Sequence, residues 1–490
     1  LYFNFYIISK LKEFKKDIIL YLIIFSVLFL GILIEKNHDD FSYYHFPYTY
    51  YLTQSESYIG IGKFGHGLRT PSSIFYLNSL FATPLIEYFS FNFGQIFIMA
   101  FVNIILVKKI NKYMNSYKVN SKYFDQTFYL VLFSFIFINI FFYRISEHGT
   151  DRSAMIIILL FIVELFELYK KKIIKNKDLS NLFLLSILAI SLKAFYITYL
   201  LFIIPILFVL NEKNKNFNFN IRLILFNRNF ICFLVLLSLV LLSYFLNTGC
   251  LIYPVSVTCF ENLSWSFPKI SVQKMNDWYE LWSKAGATPT FRTEEPAIYI
   301  SKFNWVSGWI ERYFFNKVTD FILGIMFLSL VICYVYKKNI SLNFLFLKKK
   351  LKNIIYLTII ILFLEWFYNH PALRYGGFSL IALLIFLPFT NFFNKLSIEK
   401  ETFRNLTVFL IILPLFVFLL RNIHRIDKEI NTYDYKPFME TFYSTTEHNF
   451  RIQRDITDRI KVFKNCKDTK LNCEIKNNIT IEFNKIIFVN

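Results

Sequence analysis

The 490-residue chain is 55% hydrophobic and 20% aromatic, with 61 Phe and 32 Tyr, and only 18% of its residues are charged; its mean hydropathy is +0.43. A soluble chain of this length carries about 25% charged residues and could not hide so many rings without exposing adhesive patches, so a soluble globule and a disordered chain are both excluded. The net charge of +20, from 54 Lys+Arg against 34 Asp+Glu, would suit nucleic acid if it were gathered on one face, so its placement decides its meaning.

A helix needs about 20 apolar residues to cross a hydrocarbon core about 30 Å thick. Eleven apolar runs bounded by charge occur, at 17–34, 91–107, 124–143, 153–169, 179–192, 194–210, 229–246, 317–336, 353–368, 373–389 and 404–420. The expected fold is therefore an all-α polytopic integral membrane protein of about 11 transmembrane helices. The segments 1–16, 108–123, 170–178, 211–228, 337–352 and 390–404 hold 27 of the 54 Lys and Arg residues. By the positive-inside rule these segments are cytoplasmic, which puts the N-terminus in the cytoplasm and, after eleven spans, the C-terminus outside. The basic excess is then largely a topology signal, and nucleic acid is not an expected partner. Residues 1–420 form the expected transmembrane domain, with outer loops 35–90 and 247–316, and 421–490 an extracytoplasmic tail. The first span lacks a small-residue cleavage site and runs into Glu35-Lys36-Asn37, as a retained anchor would. No dinucleotide fingerprint, P-loop, HExxH or internal repeat occurs.

The informative polar residues follow in chain order at the outer ends of the spans. His38-Asp39-Asp40, with His45 close behind, comes directly after the first span. Adjacent carboxylates repel, which raises one pKa and suits a general base or a shared metal; a solvated helix cap is the plainer reading. Next, His66, Arg69 and Thr70-Pro71 precede a segment to Tyr88 in which Ile74, Leu77, Phe81 and Leu85 recur at helical spacing. Thr70 is the expected N-cap of an interfacial helix bent at Pro84, able to roof a site at the membrane surface; a short buried hairpin is the alternative.

The short loop Arg144 to Arg152 packs Glu147, His148 and Asp151 between two arginines. That density exceeds what a connection needs. Glu147 and Asp151, four apart, would share a helix face, and Arg152 could hold a phosphate; an internal salt bridge fixing the loop is the alternative. Lys193 interrupts two apolar runs, where an ammonium needs a counter-charge or must snorkel to the interface. Finally, His370, Arg374 and Tyr375 stand beside Gly376-Gly377, which permit close backbone approach.

Cys250 with Cys259 and Cys466 with Cys473 form close pairs on the predicted outer side, where an oxidising compartment allows disulfides. Cys232 and Cys333 fall inside spans as small buried hydrophobes. Five tryptophans, Trp265, Trp278, Trp282, Trp305 and Trp309, populate or border the large outer loop, as sugar-stacking platforms or interfacial anchors.

The combination of Asp39-Asp40 after the first span, an interfacial segment at 71–88, the acidic loop from Glu147 to Asp151 and Lys193 resembles the GT-C superfamily of polytopic glycosyltransferases. The stretches HDDFSYYHFPYTYYL, EHGTDRSAM, GCLIYPVSVTCF and HPALRYGG resemble bacterial membrane proteins of that fold, over about residues 17–390. The resemblance implies a bacterial inner-membrane enzyme that takes a sugar from a polyprenyl-phosphate carrier and passes it, with inversion, to an extracytoplasmic acceptor. Asp39 or Asp40 would be the base or a metal ligand, and Glu147 and Asp151 second-site acids. Lys193 with Arg152 or Arg374 would hold the carrier phosphate. His45, His66, Arg69, His148, His370 and Tyr375 complete the candidate substrate-binding set. A divalent ion could be held by Asp39, Asp40, Glu147 and Asp151, although no ligand spacing is diagnostic. The chain departs from the oligosaccharyltransferases in lacking a WWDYG-like signature, and its tail is too small for a large soluble domain. Two other functions compete: a polysaccharide polymerase or ligase built on loop 247–316 with Arg292 and Arg312, and a lipid-linked-sugar flippase or transporter. Mostly uninterrupted apolar runs argue against the transporter.

Overall fold

The computed structural model describes residues 2–34, 40–54, 58–82, 87–117, 126–147, 149–214, 217–288, 293–336, 350–390 and 399–434, and in the tail 458, 460–462, 464–465, 479–482 and 485–489. Its α-helices begin with α1 (Tyr2–Phe29), α2 (Phe46–Gln54), α3 (Ser73–Leu80), α4 (Phe93–Ser116), α5 (Gln126–Phe141) and α6 (Gly149–Lys170). They continue with α7 (Asn176–Leu192), α8 (Ile203–Asn214), α9 (Phe217–Leu225), α10 (Arg228–Thr248), α11 (Lys269–Lys284) and α12 (Pro296–Ile300). The last are α13 (Val306–Trp309), α14 (Thr319–Val335), α15 (Lys350–Asn369), α16 (Gly377–Thr390) and α17 (Lys400–Tyr433), before a hairpin of β1 (Ile479–Glu482) and β2 (Lys485–Phe488).

The sequence of α5, QTFYLVLFSFIFINIF, is apolar on every side, so it has no face to give to water and becomes the centre of the bundle. Phe128, Phe133, Phe135 and Phe137 are fully buried there, and α6 is buried along most of its length beside it. Asn103 of α4 and Asn139 of α5 exchange amide hydrogen bonds of 3.0 and 2.9 Å in this interior, a reciprocal pairing that satisfies both buried side chains. On the outside the pattern reverses. Ile231, Leu234, Val235, Leu239 and Leu242 on α10 and Leu323, Phe327 and Leu330 on α14 are exposed. Such stripes would aggregate in water and suit contact with hydrocarbon.

Five helices among the described residues are long and apolar enough to cross a membrane: Ser90–Ser116, Ala194–Asn214, Arg228–Thr248, Val306–Val335 and Lys400–Thr432. Shorter apolar helices cover Asp17–Ile32, Thr127–Phe141, Asn353–Asn369 and Gly377–Thr390. The described residues are thus those of a membrane protein built of α-helices, with one β-hairpin in the tail. Of the eleven predicted segments, those on α6 and α7 are in neither group. Charges at both ends of α6 (Asp151, Arg152, Glu164, Glu167 and Lys170) and the polar start of α7 (Asn176, Lys177, Asp178, Ser180 and Asn181) account for this.

At the end of the bundle carrying the basic connectors, Lys108 pairs with Asp17 at 2.6 Å, Lys109 with Glu164 at 2.9 Å and Lys171 with Asp178 at 2.5 Å. Tyr113, Glu167 and Lys170 form a tight hydrogen-bonded triad beside them. These contacts tie α1, α4 and α6 together at that end. At the opposite end the tail returns to the first loop: Phe488 N donates to Ile59 O at 2.9 Å, and the Phe488 ring packs edge-on to Phe64. Gly60 permits this close approach, since a Cβ there would lie 2.3 Å from Phe488 O. Gly60 N in turn donates to Leu246 O of α10. The tail therefore docks on the same loops that carry the candidate residues.

Two local expectations are corrected. The N-cap of α3 is Ser72, not Thr70: its hydroxyl accepts from Ile74 N and donates to Leu192 O at 2.7 Å. Within α3, Asn78 is buried, its Oδ1 accepting from Gly94 N at 2.7 Å, while Leu80 is exposed. Pro84 and Leu85 lie outside the described residues. Cys232 and Cys333 are unpaired and half-buried rather than fully buried.

Candidate functional site

Four chain segments meet at the end of the bundle opposite the Lys108–Asp17 contact. After α1, residues Phe41–His45 form a wide π-helical turn leading into α2, with Asp40 at its head. Asp151 lies in the first turn of α6, and Lys193 caps the C-terminus of α7 in extended conformation. Arg374 sits on a 3-10 turn, Leu373–Tyr375, between α15 and α16. That last turn is clamped from three sides. Trp366 Nε1 donates to Ala372 O at 3.0 Å, Trp309 Nε1 to Pro371 O at 3.0 Å, and Leu373 N donates to Tyr313 OH at 2.8 Å. Gly376, at φ +95°, then reverses the chain into α16 in a backbone region open to glycine.

The four charged groups form one chain of ion pairs. Asp151 Oδ1 lies 2.6 Å from Lys193 Nζ and its Oδ2 3.0 Å from Arg374 Nε, while Arg374 Nη2 reaches Asp40 Oδ2 at 2.5 Å. Asp151 is only 1% exposed, whereas Asp40 at 24% and Lys193 at 28% retain access to the space in front of them. The carboxylates of Asp151 and Asp40 flank the buried Arg374 guanidinium and offset its charge. Arg374 also lies 5.6 Å from the Trp282 ring, and Lys193 5.4 Å from the Tyr375 ring.

In front of this chain opens a cavity of about 660 Å³, lined in part by Asp40, His66, Lys193, His370, Arg374 and Tyr375. The large loop supplies the facing wall through Tyr253, Trp278, Tyr279 and Trp282. The expected Cys250–Cys259 disulfide is present and braces the segment bearing Tyr253. Cys466 and Cys473 lie outside the described residues. His66 rests 5.7 Å from the Trp278 ring, and its pKa is lowered by burial and by Arg69, against an opposing pull from Asp40. Burial pushes the His370 pKa down to about 4, with Lys284 and Lys193 acting in the same direction.

Several expected site residues are elsewhere. Glu147 does not join Asp151: it precedes α6 in a turn, and its carboxylate takes Arg144 at 2.5 Å and also Arg425 of α17. Arg152 donates to Arg144 O in the same group, so this half of the loop is an internal salt-bridge lock. His45 is buried between Tyr44 and Phe75, with ring centroids 4.4 and 5.4 Å away, and does not line the cavity. Arg69 braces the loops, donating to Gly62 O at 3.0 Å and to Tyr253 OH at 3.1 Å. Asp39 and His148 lie outside the described residues. A metal held jointly by Asp40, Glu147 and Asp151 does not fit, because Glu147 faces the arginine lock and Arg374 separates the two aspartates. Among the described residues no three His, Cys, Asp or Glu side chains converge as metal ligands.

Several cavity residues were missed in the sequence, and one of them carries a charge inside an apolar run. Glu365, in the last turn of α15, lines the cavity with Asn369. Its signal was available as a carboxylate inside the apolar run ILFLEWF. Of the outer-loop tryptophans, Trp278 and Trp282 reach the cavity, whereas Trp265, Trp305 and Trp309 are buried structural residues.

The apolar helices and this charged, aromatic-walled cavity define a helical membrane protein with a ligand-sized chamber at one end. Residues 1–381 match the family described as Domain of unknown function (DUF8201), and the chain belongs to that family. No curated protein and no solved structure matches it.

Proposed function

We propose that the protein is a GT-C-type membrane glycosyltransferase that moves a sugar from a polyprenyl-phosphate carrier to an acceptor hydroxyl. The observation that carries this reading is the Asp40–Arg374–Asp151–Lys193 chain at the wall of a cavity of about 660 Å³. The acceptor oxygen attacks the anomeric carbon as Asp40 takes its proton, and the bond from that carbon to the phosphate oxygen breaks. The electron pair leaves with the polyprenyl phosphate, whose charge Lys193 stabilises. Arg374 aims the Asp40 carboxylate and is itself held by Asp151, so it serves as a positioning residue rather than the phosphate ligand.

In this reading all eleven apolar segments cross the inner membrane of a bacterium, with the N-terminus cytoplasmic and the cavity and tail outside. The lysine-rich connectors support that orientation. Thiol labelling at positions 215 and 345 against 280 and 450 tests it: only the second pair reacts from outside, and a reactive pair at 215 and 345 reverses the topology. A ligase centred on loop 247–316 is less well supported, since Arg312 does not line the cavity and Arg292 lies outside the described residues.

The enzymatic test is transfer from a polyprenyl-phosphate hexose by purified protein in liposomes. Asp40→Asn removes the base while preserving shape, so turnover falls by at least about 100-fold. Wild-type turnover in the variant would refute the assignment.

A further inference from the structure

We propose that Glu365, Asn369 and His370 form the subsite that recognises the hydroxyls of the carried sugar, an inference that rests on the donor reading above. All three line the cavity. Glu365 and Asn369 are four apart on the last turn of α15, and Asn369 Nδ2 donates to Glu365 Oε1 at 3.3 Å. The other carboxylate oxygen, Oε2, is buried and meets no hydrogen-bond partner within the protein; the same is true of His370 Nδ1. Buried polar atoms left without partners are costly, and nothing in the local fold demands these two. The turn is held by its backbone and by indoles: His370 N donates to Trp366 O at 2.9 Å and Trp366 Nε1 to Ala372 O at 3.0 Å. An apolar side chain at 365 would suit α15 as well as its neighbours Leu364 and Trp366 do.

The surroundings specify the ligand. A carboxylate oxygen accepts from a hydroxyl and repels a phosphate, so this corner selects the neutral, hydroxyl-bearing part of a donor. The His370 ring lies 5.8 Å from the Tyr375 ring, which lies 5.8 Å from Trp282. A sugar ring presents hydroxyls at its edge and C–H groups on its face, and this wall offers acceptors beside aromatic surface. Tyr375 also carries Lys193 over its ring at 5.4 Å, so the phosphate cation adjoins the sugar corner.

The test measures equilibrium binding of undecaprenyl phosphate and of undecaprenyl-phosphate glucose, mannose and N-acetylglucosamine to the full chain in nanodiscs. Wild-type protein binds at least one glycosylated lipid more tightly than the bare phosphate. Glu365→Leu, which suits the apolar helix, weakens that glycosylated lipid about tenfold, the loss expected for one hydrogen bond to a charged acceptor, and leaves the bare lipid unchanged. Glu365→Gln, which keeps the shape, gives an intermediate loss. Equal weakening of bare and glycosylated lipids, or no preference for any glycosylated lipid in wild type, overturns the subsite while leaving the donor reading standing. Failure of wild-type protein to bind either kind of lipid overturns both.

Discussion

Asp151 bears the largest electrostatic load in the cluster, because a side chain only 1% exposed faces both Lys193 and Arg374. Removing one member of a buried pair leaves its partner uncompensated, so Asp151→Asn is expected to cost about 3 kcal/mol of stability. Thermal unfolding in detergent checks this, and a midpoint equal to wild type would contradict it. A second residue-scale effect comes from His45, whose pKa burial lowers to about 4 although Asp40 and Asp151 pull the other way. Below its ordinary value near 6.5, the unfolded chain binds this proton and the folded chain does not, so stability falls as the pH drops from about 6.5 to 4. His45→Phe should be near-neutral at pH 7.5, since both ring nitrogens lack partners, and should flatten that slope. An unchanged pH profile would show that His45 is not the group responsible. The candidate charges were legible because Asp40, Asp151 and Arg374 gather at the outer ends of apolar runs and Lys193 interrupts two of them. The role of Glu147 was not, because its partner Arg425 lies 278 positions away in a segment read as tail, whereas α17 continues unbroken through it.

At the scale of elements, helices were legible from the length and composition of the apolar runs, but their joints were not. The shift of the α3 cap from Thr70 to Ser72 depends on contacts with α7, including Ser73 Oγ to Ser191 Oγ at 2.9 Å, while the π-helical turn at Phe41–His45 packs on the turn His66–Arg69, with the Tyr43 and His66 rings 5.1 Å apart. Gly67 illustrates how closely these loops pack: a Cβ there would lie 2.4 Å from Tyr44 Cβ, whose position near the chain leaves it little room to yield. Gly67→Ala therefore costs about 1–3 kcal/mol through overpacking, and it displaces the turn that carries Asp40. Transfer activity should drop more than the fraction of folded protein; parallel loss of both would assign Gly67 to stability alone. The Cys250–Cys259 bridge spans nine positions that include the cavity residues Ile252 to Val255. Breaking it with Cys259→Ser removes about 2–3 kcal/mol by loop entropy and loosens that wall, measurable as a lower unfolding midpoint under non-reducing conditions.

For the whole molecule, charge patterning predicted two unlike ends, and the bundle has them: lysine-rich ion pairs at one, and a cavity of acids, cations and aromatic rings at the other. What sequence could not supply was the way the tail closes on the first loop through Phe488 and Ile59, a pairing between segments at opposite ends of the chain. Nor did it separate the arginine lock around Glu147 from the cavity cluster, since both come from one nine-residue loop. In the proposed function the carrier phosphate sits at Lys193 with the anomeric carbon facing Asp40. The most direct measurement is a structure of the Asp40→Asn protein with a bound polyprenyl-phosphate hexose. The expected result is phosphate density beside Lys193 and a sugar ring against Trp282 and Tyr375. Lipid phosphate seated instead on Arg144 and Arg425, with the cavity wall untouched, would contradict it.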